Sequence, residues 1–102
     1  MPYGLDETTI KAIQTVLSHY AQVEGAILYG SRAKGNFRAG SDIDLTLLGT
    51  QLTLSMLFQI ENELDDLLLP YKIDLSIHHK IENPDLLAHI KRVGIDFYQS
   101  AI

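Results

Sequence analysis

A chain of 102 residues, 46% hydrophobic and 21% charged, with 3 Pro and 7 Gly, has the make-up of one globular domain spanning 1–102. Its 8 Lys and Arg against 13 Asp and Glu leave a net charge of -5, which argues against coating nucleic acid through its phosphates. Without Cys there are no disulfides, thiolate zinc sites or cysteine nucleophiles, and with neither a leader pattern at Met1 nor a bilayer-length apolar run, a cytoplasmic protein free of membrane is expected.

From Asp6 to about Tyr20, Ile10, Ile13, Leu17 and Tyr20 recur at intervals of three and four with Val16 beside them, which predicts a helix capped by Asp6. Gly25 closes it, and Ala26, Ile27, Leu28 and Tyr29 read as a short buried strand ending at Gly30. Residues 31–41 have loop composition, with room for one helical turn, and the loop is cationic because Arg32, Lys34 and Arg38 fall within it. Asp42 to Leu48 alternates strictly, placing Asp42, Asp44 and Thr46 on one face of a strand and Ile43, Leu45 and Leu47 on the other.

Thr53 caps a second long helix, expected to run to about Leu69 before Pro70. Its apolar arc, which includes Leu54, Leu57, Phe58, Ile60, Leu64 and Leu68, is wider than one core face needs, so part of it is a candidate partner surface. Tyr71 to Ile77 repeats the strand alternation, with Lys72, Asp74 and Ser76 opposite Ile73, Leu75 and Ile77. Asn83-Pro84 starts a third helix striped by Leu86, Leu87, Ile90 and Val93, Gly94 ends it, and Ile95 to about Tyr98 forms a last strand. The expected fold class is α/β (α+β), a small mixed sheet of three or four strands with helices on one face and the acids on the other.

The chemistry concentrates between Gly30 and Asp44. Two carboxylates at i and i+2 on a strand share a face, roughly 6.5 to 7 Å apart at Cα. If Asp74 on the following strand joins them, three negative charges converge. At ~5 Å and an effective dielectric of ~20 each pair repels by about 3 kcal/mol. A hard divalent cation with oxygen ligands relieves this, and Mg²⁺ combines a few carboxylates with substrate phosphates. Gly30 permits a tight turn and Ser31 with adjacent N–H groups can grip phosphate, while Arg32, Lys34 and Arg38 add countercharge. Acid pairs on a strand and Gly-Ser turns are each common on solvated surfaces, but their combination with a third strand-borne acid is not explained by solvation. No Walker A loop is present. His19, His78, His79 and His89 read as capping or solvating groups rather than zinc ligands, with stacking near a base as the alternative for His78 and His79, and Tyr29 and Phe37 read as packing.

The words Leu28-Tyr29-Gly30-Ser31-Arg32-Ala33-Lys34-Gly35 and Gly40-Ser41-Asp42-Ile43-Asp44-Leu45, with Asp74 in Lys72-Ile73-Asp74-Leu75, resemble the nucleotidyltransferase superfamily related to DNA polymerase beta, in particular its minimal, MNT-type members. The resemblance implies a polymerase beta-like fold in which Gly30, Ser31, Arg32, Lys34 and Ser41 bind the nucleotide. Asp42 and Asp44 would bind two Mg²⁺ ions, and Asp74 would be a further ligand or the base. It also implies ATP as substrate, in-line attack at the α-phosphate and release of pyrophosphate, with Arg32 or Lys34 holding the leaving group. With 28 residues after Asp74, the expectation is that the acceptor surface comes from a second polypeptide or a second copy, or that the acceptor is a very simple substrate. Proteins of this kind act as antitoxins of HEPN toxins, some by transferring AMP to a tyrosine of the partner. The alternatives are an antitoxin that works by occlusion alone and a small-molecule, aminoglycoside-type nucleotidyltransferase.

Overall fold

The computed structural model describes residues 1–101, and every structural statement below refers to them. A short 3-10 turn at Pro2–Gly4 precedes helix α1, Glu7–Ser18, whose first turn is closed by Asp6 accepting from the Thr9 N–H at 2.7 Å. Strand β1, Gly25–Tyr29, runs directly into the five-residue helix α2, Gly30–Lys34, which occupies the start of the cationic loop. Strand β2, Ile43–Leu48, is followed by α3, Leu54–Asp65, capped by Thr53, and by β3, Ile73–Ile77. After a 3-10 turn at His78–Lys80 come α4, Pro84–Val93, capped by Asn83, and β4, Ile95–Gln99.

The four strands form one mixed sheet in the order β3-β2-β1-β4. β1 is antiparallel to both β2 and β4, and β2 is parallel to β3 through the α3 crossover. Alternation sorts the side chains as expected. Ala26, Leu28, Ile43, Leu45, Leu47, Leu75 and Ile77 enter one buried cluster with Ile13, Val16 and Leu17 of α1 and Leu57, Ile60 and Leu64 of α3. Each fully buried Leu or Ile contributes about 1.5 to 3 kcal/mol, so this layer carries most of the stability. The two long helices are stapled where Glu63 accepts from the Tyr20 hydroxyl at 2.6 Å and pairs with His19 Nδ1 at 2.8 Å. Hydrogen bonding to Glu63 pushes the Tyr20 phenol up to about 12.

Two elements differ from expectation. α3 stops at Asp65 rather than near Leu69: the chain leaves the helix through a turn in which Leu68 takes a left-handed φ of 55° and stands exposed while Leu67 and Leu69 pack back on the core, and Pro70 disfavours a helical Leu69. The helical layer of α1 and α3 lies on one face as expected, whereas α4 packs against the acid-bearing face. Ile90 of α4 is buried but outside the main cluster, and a Cβ on Gly94 would meet Ile27, whose side chain alternates away from the Ala26 and Leu28 face. α4 thereby borders the acids.

Candidate active site

Strand pairing assembles the site. Asp44 and Asp74 are direct Cα partners in the parallel β2–β3 ladder, so both carboxylates leave the same face of the sheet with their Cα atoms about 4.8 Å apart. Asp42 lies exposed just ahead of β2. Partial burial holds the Asp44 carboxyl above the usual carboxylate range, with the charges of Asp74 and then Asp42 adding to the effect. The phenol of Tyr29, which is paired with Asp44 across β1–β2, is also pushed up. Burial is the main cause, opposed by a hydrogen bond with Ser76 and reinforced by Asp74 and Asp44. Farther along, the Ser76 hydroxyl donates to Thr46 Oγ1 at 2.9 Å, closing the floor of the face.

These carboxylates have no cation opposite them: neither ion pair of the described residues, Lys11–Glu7 or His19–Glu63, involves them. Among the described residues no three His, Cys, Asp or Glu side chains are grouped as a ready metal site. What they offer is a set of hard oxygen donors on one face whose mutual repulsion is uncompensated. That donor set fits Mg²⁺, which takes only one or two carboxylates from a protein and the rest of its ligands from water and phosphate.

Gly30 closes the site from β1. It has a φ of 75°, and a Cβ there would collide with the Asp44 carboxylate. The turn that begins α2 is thus pressed flat against Asp44, the second residue of the strand beside it. That contact between a Gly-Ser turn and a strand acid is the physical content of the motif. A family model described as polymerase beta, nucleotidyltransferase matches residues 11–101. The chain belongs to this family.

Several solved structures of similar fold come from toxin–antitoxin complexes. A chain of a toxin–antitoxin crystal structure with AMP-PNP aligns with a TM-score of 0.70 at 19% identity, covering 95% of this chain and 76% of its own. A chain of the tri-AMPylated Shewanella oneidensis HEPN toxin in complex with MNT antitoxin aligns at a TM-score of 0.69 and 16% identity, covering 94% and 74%. One from a MntA–HepT complex gives 0.67 at 16%, covering 93% and 74%. None of the curated proteins compared with the chain matches it. Polymerase beta-type nucleotidyltransferases in general use a nucleotide substrate and a divalent metal.

The remaining expected residues separate into two groups. Ser31 lies in the first turn of α2, and Lys34 is exposed at its end. Ser41 accepts the Arg38 N–H on its hydroxyl at 2.8 Å and so shapes the turn leading to Asp42. Arg32 is not at the surface expected of a pyrophosphate ligand. It is 2% exposed, and its guanidinium donates to the carbonyls of Tyr3, Ala39 and Ser41 between the rings of Phe37 and Tyr71. Its work is internal, which leaves Lys34 and Arg38 as the accessible cations of the loop.

The sequence reading missed His89. Read as a solvating group, it lies at the site, with Nε2 accepting the Gly30 N–H at 3.1 Å. The available signal was its position three residues after Leu86 and next to Ile90, at the border of the α4 apolar stripe.

Because the Gly30 site has neither the φ nor the room for a side chain, Gly30→Ala is expected to cost about 1 to 3 kcal/mol of stability. It should also displace Asp44 and so abolish binding of a nucleoside triphosphate with divalent metal. Thermal unfolding and calorimetric titration measure the two effects, and an alanine variant that binds like wild type contradicts the close contact.

Proposed function

We propose that this protein is a Mg²⁺-dependent nucleotidyltransferase that transfers AMP from ATP to a hydroxyl acceptor, a tyrosine of a HEPN toxin, and so acts as that toxin's antitoxin. The observation that carries the reading is the registered pair Asp44 and Asp74, paired with no cation, of which Asp44 is in contact with the Gly30 turn. The fold shared with an AMP-PNP-containing toxin–antitoxin structure and with a complex holding an AMPylated HEPN toxin supports the choice of ATP and of acceptor.

Each residue then has a defined task. Asp42, Asp44 and Asp74 would hold the cation, which when bound supplies charge neutralisation and Lewis-acid polarisation at the phosphate. Gly30 brings the phosphate-binding turn against Asp44, Ser31 in that turn seats the triphosphate, and Lys34 offers countercharge to its outer phosphates. Asp74, exposed on the edge strand β3, receives the proton of the incoming hydroxyl. The new bond joins the acceptor oxygen to the α-phosphorus. The bond from that phosphorus to the bridging oxygen breaks, and its electron pair leaves with pyrophosphate.

The protein is expected to transfer label from α-³²P-ATP with Mg²⁺ to a co-encoded HEPN protein and to lose transfer in EDTA. A HEPN partner that is neutralised without labelling favours the occlusion reading. Leu54 and Phe58 of α3, 54% and 60% exposed, offer apolar contact area for such a mode. Label on an aminoglycoside instead would place the chain among small-molecule transferases.

A further inference from the structure

Gly30 is held from both sides. On one side its Cα faces the Asp44 carboxylate with no space for a methyl group. On the other its N–H donates to His89 Nε2 at 3.1 Å. A backbone N–H can only donate, so Nε2 must carry the lone pair and the ring proton must reside on Nδ1; the bond exists only with the imidazole neutral. The ring itself is fixed. It stands edge-on to Tyr29, the residue before Gly30, with centroids 6.2 Å apart and planes at 81°. The next residue along α4, Ile90, is buried to 3% exposure, anchoring the helix on the acid face.

The geometry points to His89 as a positioning residue: a neutral imidazole on α4 that holds the Gly30 amide and so sets how far the phosphate-binding turn stands from Asp44. Two consequences follow. The Gly30 N–H, occupied by imidazole, is not among the phosphate donors, and that role passes to Ser31. α4, which carries none of Asp42, Asp44 and Asp74, becomes part of the nucleotide site, since the distance between triphosphate and cation ligands depends on its seating. This rests on the nucleotidyltransferase reading above, and the experiment separates the two.

Full-length His89→Ala, His89→Gln and the control His79→Ala, whose target is an exposed histidine on the turn after β3, are compared by thermal unfolding, by amide hydrogen exchange at Gly30, and by calorimetric titration of ATP with Mg²⁺. Loss of a single amide hydrogen bond predicts about tenfold weaker ATP binding and about tenfold faster Gly30 exchange in His89→Ala. Gln offers a carbonyl oxygen to the same N–H, so His89→Gln recovers most of both, and His79→Ala matches wild type. A role in stability alone would move the melting temperature without the recovery of ATP affinity by Gln. Wild-type ATP affinity in a folded His89→Ala overturns the positioning role, as does failure of a folded His89→Gln to recover it. Wild-type protein that binds no ATP overturns the nucleotidyltransferase reading, and the positioning role falls with it.

Discussion

Asp44→Asn is expected to reduce AMP transfer by about 10³-fold and, in the same protein, to raise the melting temperature measured without ligand. The first effect follows from removing the acid that meets both the Gly30 turn and Asp74; loss of one charge-stabilising group in a preorganised site costs on the order of 10² to 10³ in rate, and loss of a cation ligand adds to it. The second follows from the direction of the Asp44 shift. Burial, then Asp74 and Asp42, hold its folded pKa above the ordinary value of roughly 3.9. Between that ordinary value and the raised one, the folded chain binds more protons than the unfolded chain, so stability falls as pH rises through the window. Above it the whole penalty is present, and at pH 7 the charged Asp44 is a net cost to the ligand-free fold.

Asn keeps the shape and removes the charge. The gain is modest because the carboxyl is only half-buried and water screens it. Unfolding curves from pH 4 to pH 8 in EDTA should therefore converge at the acid end and separate towards neutrality, with the variant above wild type. Adding ATP and Mg²⁺ at about 100 times Kd reverses the order. A ligand at that level stabilises wild type by about 2.7 kcal/mol, on the order of 10 °C for a domain of this size, and leaves the variant unmoved. A variant less stable than wild type in EDTA would show that Asp44 is structural; one that still transfers AMP would remove it from the reaction.

The acids were legible because their placement is local. Strict alternation over Asp42 to Leu48 and over Tyr71 to Ile77 decides which face each carboxylate takes, and the β2–β3 register then brings Asp44 beside Asp74. Gly30 was legible as a turn for the same reason. Arg32 was not, because its fate depends on the carbonyl of Tyr3, 29 residues away, and on the ring of Tyr71, neither of which leaves a mark in the cationic loop. Three bases in a short loop look alike as sequence; only the packed chain separates the one turned inward from the two left outside. The end of α3 and the side taken by α4 were likewise set at a distance. Leu67 and Leu69 fit a helical repeat, yet they reach the core from a non-helical turn. The α4 stripe is the same whichever face of the sheet it covers, so His89 could be placed at the border of an apolar surface but not beside Gly30.

The inward turn of Arg32 sets the largest expected change in stability. Its Nε, Nη1 and Nη2 donate to Ser41, Tyr3 and Ala39 carbonyls over 2.9 to 3.3 Å, and its carbon centre lies 4.9 Å from the Tyr71 ring centroid and 5.3 Å from that of Phe37. One side chain thus ties the amino-terminal turn, where Tyr3 holds a left-handed φ of 59°, to both the loop before Asp42 and Tyr71, two residues ahead of β3. Arg32→Ala leaves those carbonyls without their donors, exposes two aromatic faces and empties a buried volume. Hydrogen bonds to a charged group are worth about 1.5 to 3 kcal/mol each at most, and they are not additive, so a loss of about 3 to 4 kcal/mol is expected, lowering the melting temperature by on the order of 15 °C. Arg32→Lys keeps the charge but cannot span three carbonyls with one ammonium, and it should fall between. The site responds as well, since Ser41 is both the main acceptor of Arg32 and the neighbour of Asp42; release of the loop frees Asp42 and weakens binding of ATP with Mg²⁺ even at temperatures where the variant is folded. An Arg32→Ala protein with wild-type melting temperature would return Arg32 to the list of phosphate ligands, whereas one that is destabilised yet binds ATP normally would show that the loop holds Asp42 without it.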